Sequence, residues 1–195
     1  MPNPRDDVLA LMSARTGHFP LESGHHGELW LELDALFWDP AAVEPPAGRL
    51  AELIGQHAPD VVCGPLVGGA FLAQLVAARL GVRFGHTERD STGDGRYAAT
   101  YRLPDALAPR LAGLRVAIVD DVVNAGSALR ATFAALTQAG ARPVVLGALL
   151  ALGTTPAAVA ASVGLPLETV ATLENDIWEP PRCPRCANGE PLQAL

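Results

Sequence analysis

Asp120 and Asp121 close an apolar run, Arg115-Val116-Ala117-Ile118-Val119, and lead into Val122, Val123, Asn124, Ala125, Gly126, Ser127 and Ala128. Backbone amides of residues 124–128 would point into a turn there, and a helix beyond it would present the positive end of its dipole. Together these suit a phosphate group. Gly126 lets the backbone approach closely, and the Ser127 hydroxyl can donate to the anion or cap the helix. Carboxylates beside an anion are repulsive unless they face something else. Sugar hydroxyls, with a divalent cation nearby to balance charge, satisfy them. A phosphate cradle with two acids aimed at hydroxyls describes a pocket for ribose 5-phosphate. The plainer reading is a polar strand end followed by a Gly-Ser turn, but strand, acid pair, turn and helix in one register favour the pocket. Rival phosphate motifs are missing: the chain contains no Lys, so no Gly-x-x-x-x-Gly-Lys loop exists, and no dinucleotide fingerprint follows a strand.

The elements that must position these residues follow from the pattern. Asn3 and Pro4 start a helix whose apolar face, Val8, Leu9, Leu11 and Met12, runs until Gly17. Residues 19–33 read as a hairpin with its turn at 23–27, and Leu29, Leu31 and Leu33 alternate with Glu28, Trp30 and Glu32. Pro45-Pro46 opens a helix through Leu50, Leu53 and Ile54. Strands are expected at 60–63, 82–84, 115–119, 144–150 and 169–173, with helices at 70–80, 127–139 and 156–162 between them. Residues 88–96, polar and glycine-rich, read as a mobile loop. Apolar strands alternating with helices imply an α/β fold, a mostly parallel sheet covered on both faces. Such sheets bind ligands at the carboxyl ends of their strands.

Composition narrows the function classes. At 195 residues the chain suits one well-packed domain. A formal net charge of -7 argues against a nucleic-acid or anionic-membrane surface. The longest apolar run, residues 144–152, is far short of a membrane span. The first residues carry acid and proline rather than a basic, then apolar, leader, and three Cys without an export signal imply reduced thiols, so a cytoplasmic protein is expected.

The run 116–130 resembles the phosphoribosyl diphosphate signature of type I phosphoribosyltransferases. Gly17-His18-Phe19-Pro20-Leu21-Glu22-Ser23-Gly24 is similar to the N-terminal segment of the orotate branch, and Gly64-Pro65-Leu66-Val67-Gly68-Gly69 to its pyrophosphate loop. Residues 181–192, with Cys183-Pro184-Arg185-Cys186, resemble a tail carried by some members. The resemblance implies a twisted, mostly parallel sheet flanked by helices, with residues 1–45 as a helix and hairpin hood, 46–173 as core and 174–195 as tail. It implies transfer of a phosphoribosyl group from phosphoribosyl diphosphate to a base, orotate in pyrimidine nucleotide biosynthesis, with Mg2+ bridging ribose and pyrophosphate oxygens, in a homodimer. Asp120 and Asp121 would hold the ribose hydroxyls within a binding loop of residues 120–128. Residues 124–128 would take the 5-phosphate, and Pro65, Leu66, Val67, Gly68 and Gly69 the pyrophosphate. A loop around Arg89 would close over it to exclude water.

Several positions depart from that pattern. Family members use a loop lysine where this chain offers Arg89 and Arg96; Arg supplies charge and a bidentate grip but no transferable proton. His25 and His26 stand where many members place a base-site lysine, and two adjacent His in a turn read as solvent-facing. Ala151-Leu152-Gly153 stands where the family places an arginine for the orotate carboxylate. The base is therefore open between orotate and another purine or pyrimidine, and a non-catalytic phosphoribosyl diphosphate-binding regulator is the reading from another class. No direct metal ligand is expected. Cys183 and Cys186 could form half of a zinc site, but a closed site needs four ligands, and the preferred reading is reduced thiols in a folded tail. Trp30, Trp38 and Trp178 are assigned to packing or an interface.

Overall fold

The structure is a computed structural model that describes residues 4–21, 23–90 and 100–194. Helix α1 (Pro4–Ala10) leads into an antiparallel hairpin of β1 (Ser13–Pro20) and β2 (His26–Glu32). The core then runs α2 (Pro40–Gly55), β3 (Val61–Pro65), α3 (Gly68–Leu80), β4 (Arg83–Arg89), β5 (Tyr101–Arg102) and α4 (Ala108–Leu111). It continues through β6 (Arg115–Val123), α5 (Ser127–Gln138), β7 (Arg142–Leu152), α6 (Thr155–Val163) and β8 (Leu167–Leu173). A tail follows: β9 (Ile177–Trp178), a 3-10 turn at Pro180–Arg182 and α7 (Pro184–Ala187).

The main sheet has the order β5-β4-β3-β6-β7-β8, parallel except for the β5 edge. Strand side chains alternate between two apolar layers. Val62, Ala117 and Val119 face Leu50 and Ile54 of α2 and Leu72 and Val76 of α3. Val61, Cys63, Val116 and Ile118 face Leu129 and Leu136 of α5 and Ala160 of α6. Strands buried on both faces explain the nearly continuous apolar runs. Each fully buried Leu or Ile contributes roughly 1.5–3 kcal/mol of burial. The strand order turns around between β3 and β6: from β3 the chain moves outward to β4, and from β6 it moves the other way. A crevice opens at the carboxyl ends of two such strands, and these ends carry Pro65 and the Asp120-Asp121 pair.

Several boundaries differ from expectation. The first helix ends at Ala10 rather than near Gly17, because residues 13–20 pair with β2. The second helix begins at Pro40, before the Pro45-Pro46 pair. Asp39 caps it by accepting a hydrogen bond from the Ala41 amide at 3.0 Å, and Pro40 occupies the position that needs no donor. The hairpin closes earlier than the expected turn at 23–27, with the Leu21 amide donating to the His25 carbonyl at 2.8 Å, which puts His26 into β2. Glu88 and Arg89 of the expected loop belong to β4, and residues 91–96 lie outside the described residues.

Candidate active site

Strand β6 continues through both acids because its ladder with β7 persists as far as Val123, opposite Ala151. Asp120 is half-buried and Asp121 buried. The Asp121 amide donates to Asp120 Oδ1 at 3.1 Å, and the Val122 amide donates to Asp121 Oδ1 at 2.8 Å. Burial pushes the Asp121 carboxyl above the ordinary carboxylate range, opposed by the Val122 amide and by a side-chain hydrogen bond to Asp120.

The next strand end meets this pair directly. A Cβ on Gly68 would overlap Asp121 Oδ2, and one on Gly69 would lie 2.6 Å from Asp120 Oδ1. Residues 65–69 and the acid pair therefore form one contiguous surface. The peptide between Leu66 and Val67 is cis. The Leu66 amide donates to the Thr87 carbonyl at 2.8 Å, fastening the loop to β4, and Thr87 Oγ1 lies 2.8 Å from Thr132 Oγ1 of α5 in a buried pair.

Beyond the acids, Gly126 adopts φ +67° as it turns the chain into α5, and Val159 leaves no room for a Cβ there. No side chain caps α5, so Ser127 stands at the helix start without acting as its cap. The free amides of a first helical turn are the donors an anion needs. Asn124 is held by Asn175, whose Nδ2 donates to its Oδ1 at 3.3 Å, and Arg130 Nη2 donates to the Ala125 carbonyl at 3.1 Å. Beside this loop lies a cavity of about 340 Å³ lined by His25, Ala125, Arg130, Thr155, Trp178 and Arg182, among others.

The geometry thus brings residues 65–69 together with Asp120 and Asp121, and sets residues 124–128 along the same end of the sheet. Arg89 is exposed at the end of β4, two residues past Thr87, the ladder partner of Pro65. Arg96 is outside the described residues. Trp178 lines the cavity, Trp30 packs near Phe19 with ring centroids 6.2 Å apart, and Trp38 is exposed.

Two expectations need correction. His26 is buried in β2 rather than facing solvent. The tail cysteines are also not an isolated pair: both lie against His18 and His26. His18, quoted only as part of the 17–24 segment, Asn175, and Trp178, assigned to packing or an interface, were not read as site residues, because their partners here stand far away along the chain.

Known proteins bear out the family resemblance. Residues 41–166 match the sequence profile of the phosphoribosyl transferase domain. The orotate phosphoribosyltransferase of Heliobacterium modesticaldum is 32% identical over 177 residues, covering 90% of this chain and 86% of that one. That of Thermus thermophilus is 31% identical over 179 residues, 92% of each. In three dimensions the chain is similar to orotate phosphoribosyltransferase from Aeropyrum pernix, with a TM-score of 0.65 at 23% identity over 86% of this chain and 92% of that one. Adenine phosphoribosyltransferase from Thermoanaerobacter pseudethanolicus gives a TM-score of 0.68 at 19% identity over 86% and 99%. With a matching profile over most of its length and relatives above 30% identity across nearly all of it, the chain belongs to the phosphoribosyltransferase family.

Proposed function

We propose that the chain transfers the 5-phosphoribosyl group of phosphoribosyl diphosphate to orotate, with Asp120 and Asp121 gripping the ribose hydroxyls. The observation that carries this is the contact of the acid pair with Gly68 and Gly69 at the switch point of the sheet. It sets a hydroxyl-binding pair against the segment assigned to pyrophosphate, so ribose and leaving group share one surface. Residues 124–128 take the 5-phosphate on backbone amides. A ring nitrogen of the base forms its bond to the anomeric carbon as that carbon's bond to the pyrophosphate oxygen breaks, and the proton which that nitrogen carried passes to water or to the departing pyrophosphate. Positive charge gathers on the ribose in between, and the pyrophosphate leaves with the electron pair. The protein's contribution is positioning and electrostatics. Arg89 supplies a cation for the leaving pyrophosphate without exchanging a proton.

A magnesium ion fits this surface, because Asp120 and Asp121 offer hard oxygen donors beside the phosphate cradle, suited to Mg2+ through hydroxyls or water. Bound with the substrate, it would neutralise charge on the pyrophosphate. The base faces the cavity beside Ala125. Support for orotate comes from the naming of the relatives and from Arg130 and Arg182 on that cavity, two guanidinium groups for the carboxylate of the base. A second reading, an uncharged base, is favoured by the absence of an arginine at Ala151, Leu152 and Gly153.

We assign the whole chain to one domain, in which residues 1–45 and 174–195 cover the 46–173 core. A homodimer is part of the proposal. Val67 and Phe71 are exposed one helical turn apart, and Phe37 packs on Phe71 with ring centroids 5.6 Å apart. Such an apolar patch suits a second copy. Light scattering on the purified chain tests the dimer. Calorimetric titration of phosphoribosyl diphosphate with Mg2+, then pyrophosphate release with orotate and with adenine, tests the activity. Release with orotate alone supports the leading reading, release with adenine alone the second, and binding without release for every base leaves a sensor.

A further inference from the structure

We infer that His18, His26, Cys183 and Cys186 form a structural zinc site that ties the β1–β2 hairpin to the tail. The four ligand atoms all lie within 4.8 Å of one another. His18 Nε2 is 3.2 Å from His26 Nδ1, 3.3 Å from Cys183 Sγ and 3.8 Å from Cys186 Sγ, and Cys186 Sγ is 3.2 Å from His26 Nδ1. A tetrahedral Zn2+ with bonds of about 2.0 Å to nitrogen and 2.3 Å to sulfur separates its ligands by roughly 3.3–3.8 Å. Four of the six ligand pairs already have about that spacing, and the other two lie within 4.8 Å.

Hydrogen bonding alone does not account for it. His18 Nδ1 lies 2.9 Å from the Glu190 carbonyl, which only accepts, so Nδ1 carries the proton and Nε2 keeps its lone pair. The thiols can donate to the two rings, Cys183 to His18 Nε2 and Cys186 to His26 Nδ1, but the two ring nitrogens then face each other at 3.2 Å, lone pair to lone pair, with no hydrogen between them. One cation accepts all four ligands at once. The carbonyl contact is the outer partner that metal-bound imidazoles ordinarily have, fixing tautomer and ring orientation. His18, His26 and Cys183 are buried and Cys186 is exposed, so the site is closed on three sides with an entry path. Two thiolates and two imidazoles leave no open position, and that donor set selects zinc for structure rather than catalysis.

The site has a reason to exist where it does. Ligand His26 pairs with Trp178 in the β2–β9 ladder, and Trp178 and Arg182 wall the cavity beside the phosphate loop. The metal would therefore hold that wall in place.

Protein expressed with zinc, reduced and desalted, should carry about one zinc per chain by mass spectrometry of the metal. Exchange for Co2+ should give thiolate-to-cobalt charge transfer and the intense visible bands of a tetrahedral site. Cys186→Ser should lower zinc affinity 10-fold or more and weaken the charge-transfer band, whereas Cys63→Ala should keep both. A folded wild-type chain that holds under about a tenth of a metal and takes up no Co2+ overturns the site. So does a Cys183–Cys186 disulfide in anaerobically purified protein, or zinc binding unaltered by Cys186→Ser.

Discussion

Gly68 touches Asp121 so closely that any side chain at position 68 would displace the carboxylate. The contact couples two loops that belong to different strands and, in the proposed reaction, to different ends of the substrate. Gly68→Ala should accordingly lower kcat/KM at least 10-fold while costing about 1–3 kcal/mol of stability from overpacking. Steady-state kinetics beside a thermal melt would check it. Unchanged kinetics with normal stability would mean that the acid pair does not hold ribose.

Asp121 should show stability and function pulling apart. Its carboxyl is raised by burial, so the folded state prefers it protonated. The preference favours folding at low pH and is lost as pH rises through the folded-state value, where the ionised group becomes a cost. Asp121→Asn keeps an acceptor for the Val122 amide and can donate to Asp120. It should melt a few degrees higher at pH 8, with the gain shrinking in acid, yet bind phosphoribosyl diphosphate at least 100-fold more weakly. Melts across pH and calorimetry together measure this.

Gly126→Ala meets two obstacles at once, the left-handed φ of +67° and the methyl groups of Val159. A loss of about 1–3 kcal/mol is expected, with binding of inorganic phosphate weakened in parallel because the amides of the turn are re-aimed. Phosphate titration of the variant gives the answer. A stable variant with unchanged phosphate affinity would move the anion site elsewhere.

Cys63 should be inert. Burial pushes its thiol up to about 12, so the neutral form persists as pH rises until that range is reached. Alkylation at pH 8 should leave it unmodified in the native chain and label it fully in denaturant, with peptide mass spectrometry as the readout.

The loop proposed to bind phosphate was legible because everything that defines it is local: an apolar strand, two acids, small residues and a helix within about one motif. Boundaries set by pairing were not. Asp120 and Asp121 read as a strand's end, yet β6 carries both because β7 supplies partners for polar and apolar residues alike. Ser13 to Thr16 lengthened the first helix on paper, and only the hairpin register with residues 29–32 reveals a strand. The Pro45-Pro46 pair drew attention from Asp39, a weaker signal with the capping role. Least legible was the histidine–cysteine cluster, whose members His18 and Cys183 stand 165 residues apart. No window along the chain contains both.

The ladder between His26–Gly27 and Ile177–Trp178 has a consequence for biosynthesis. Strands β3 to β8 can assemble while the later residues are still inside the ribosome, so the loop of residues 120–128 forms early. Trp178 and its neighbours arrive only after all of them, and must find a hairpin made near the beginning of translation. A nascent chain would then pass through a period in which the proposed sugar-phosphate site is built but the wall of the cavity beside it is not.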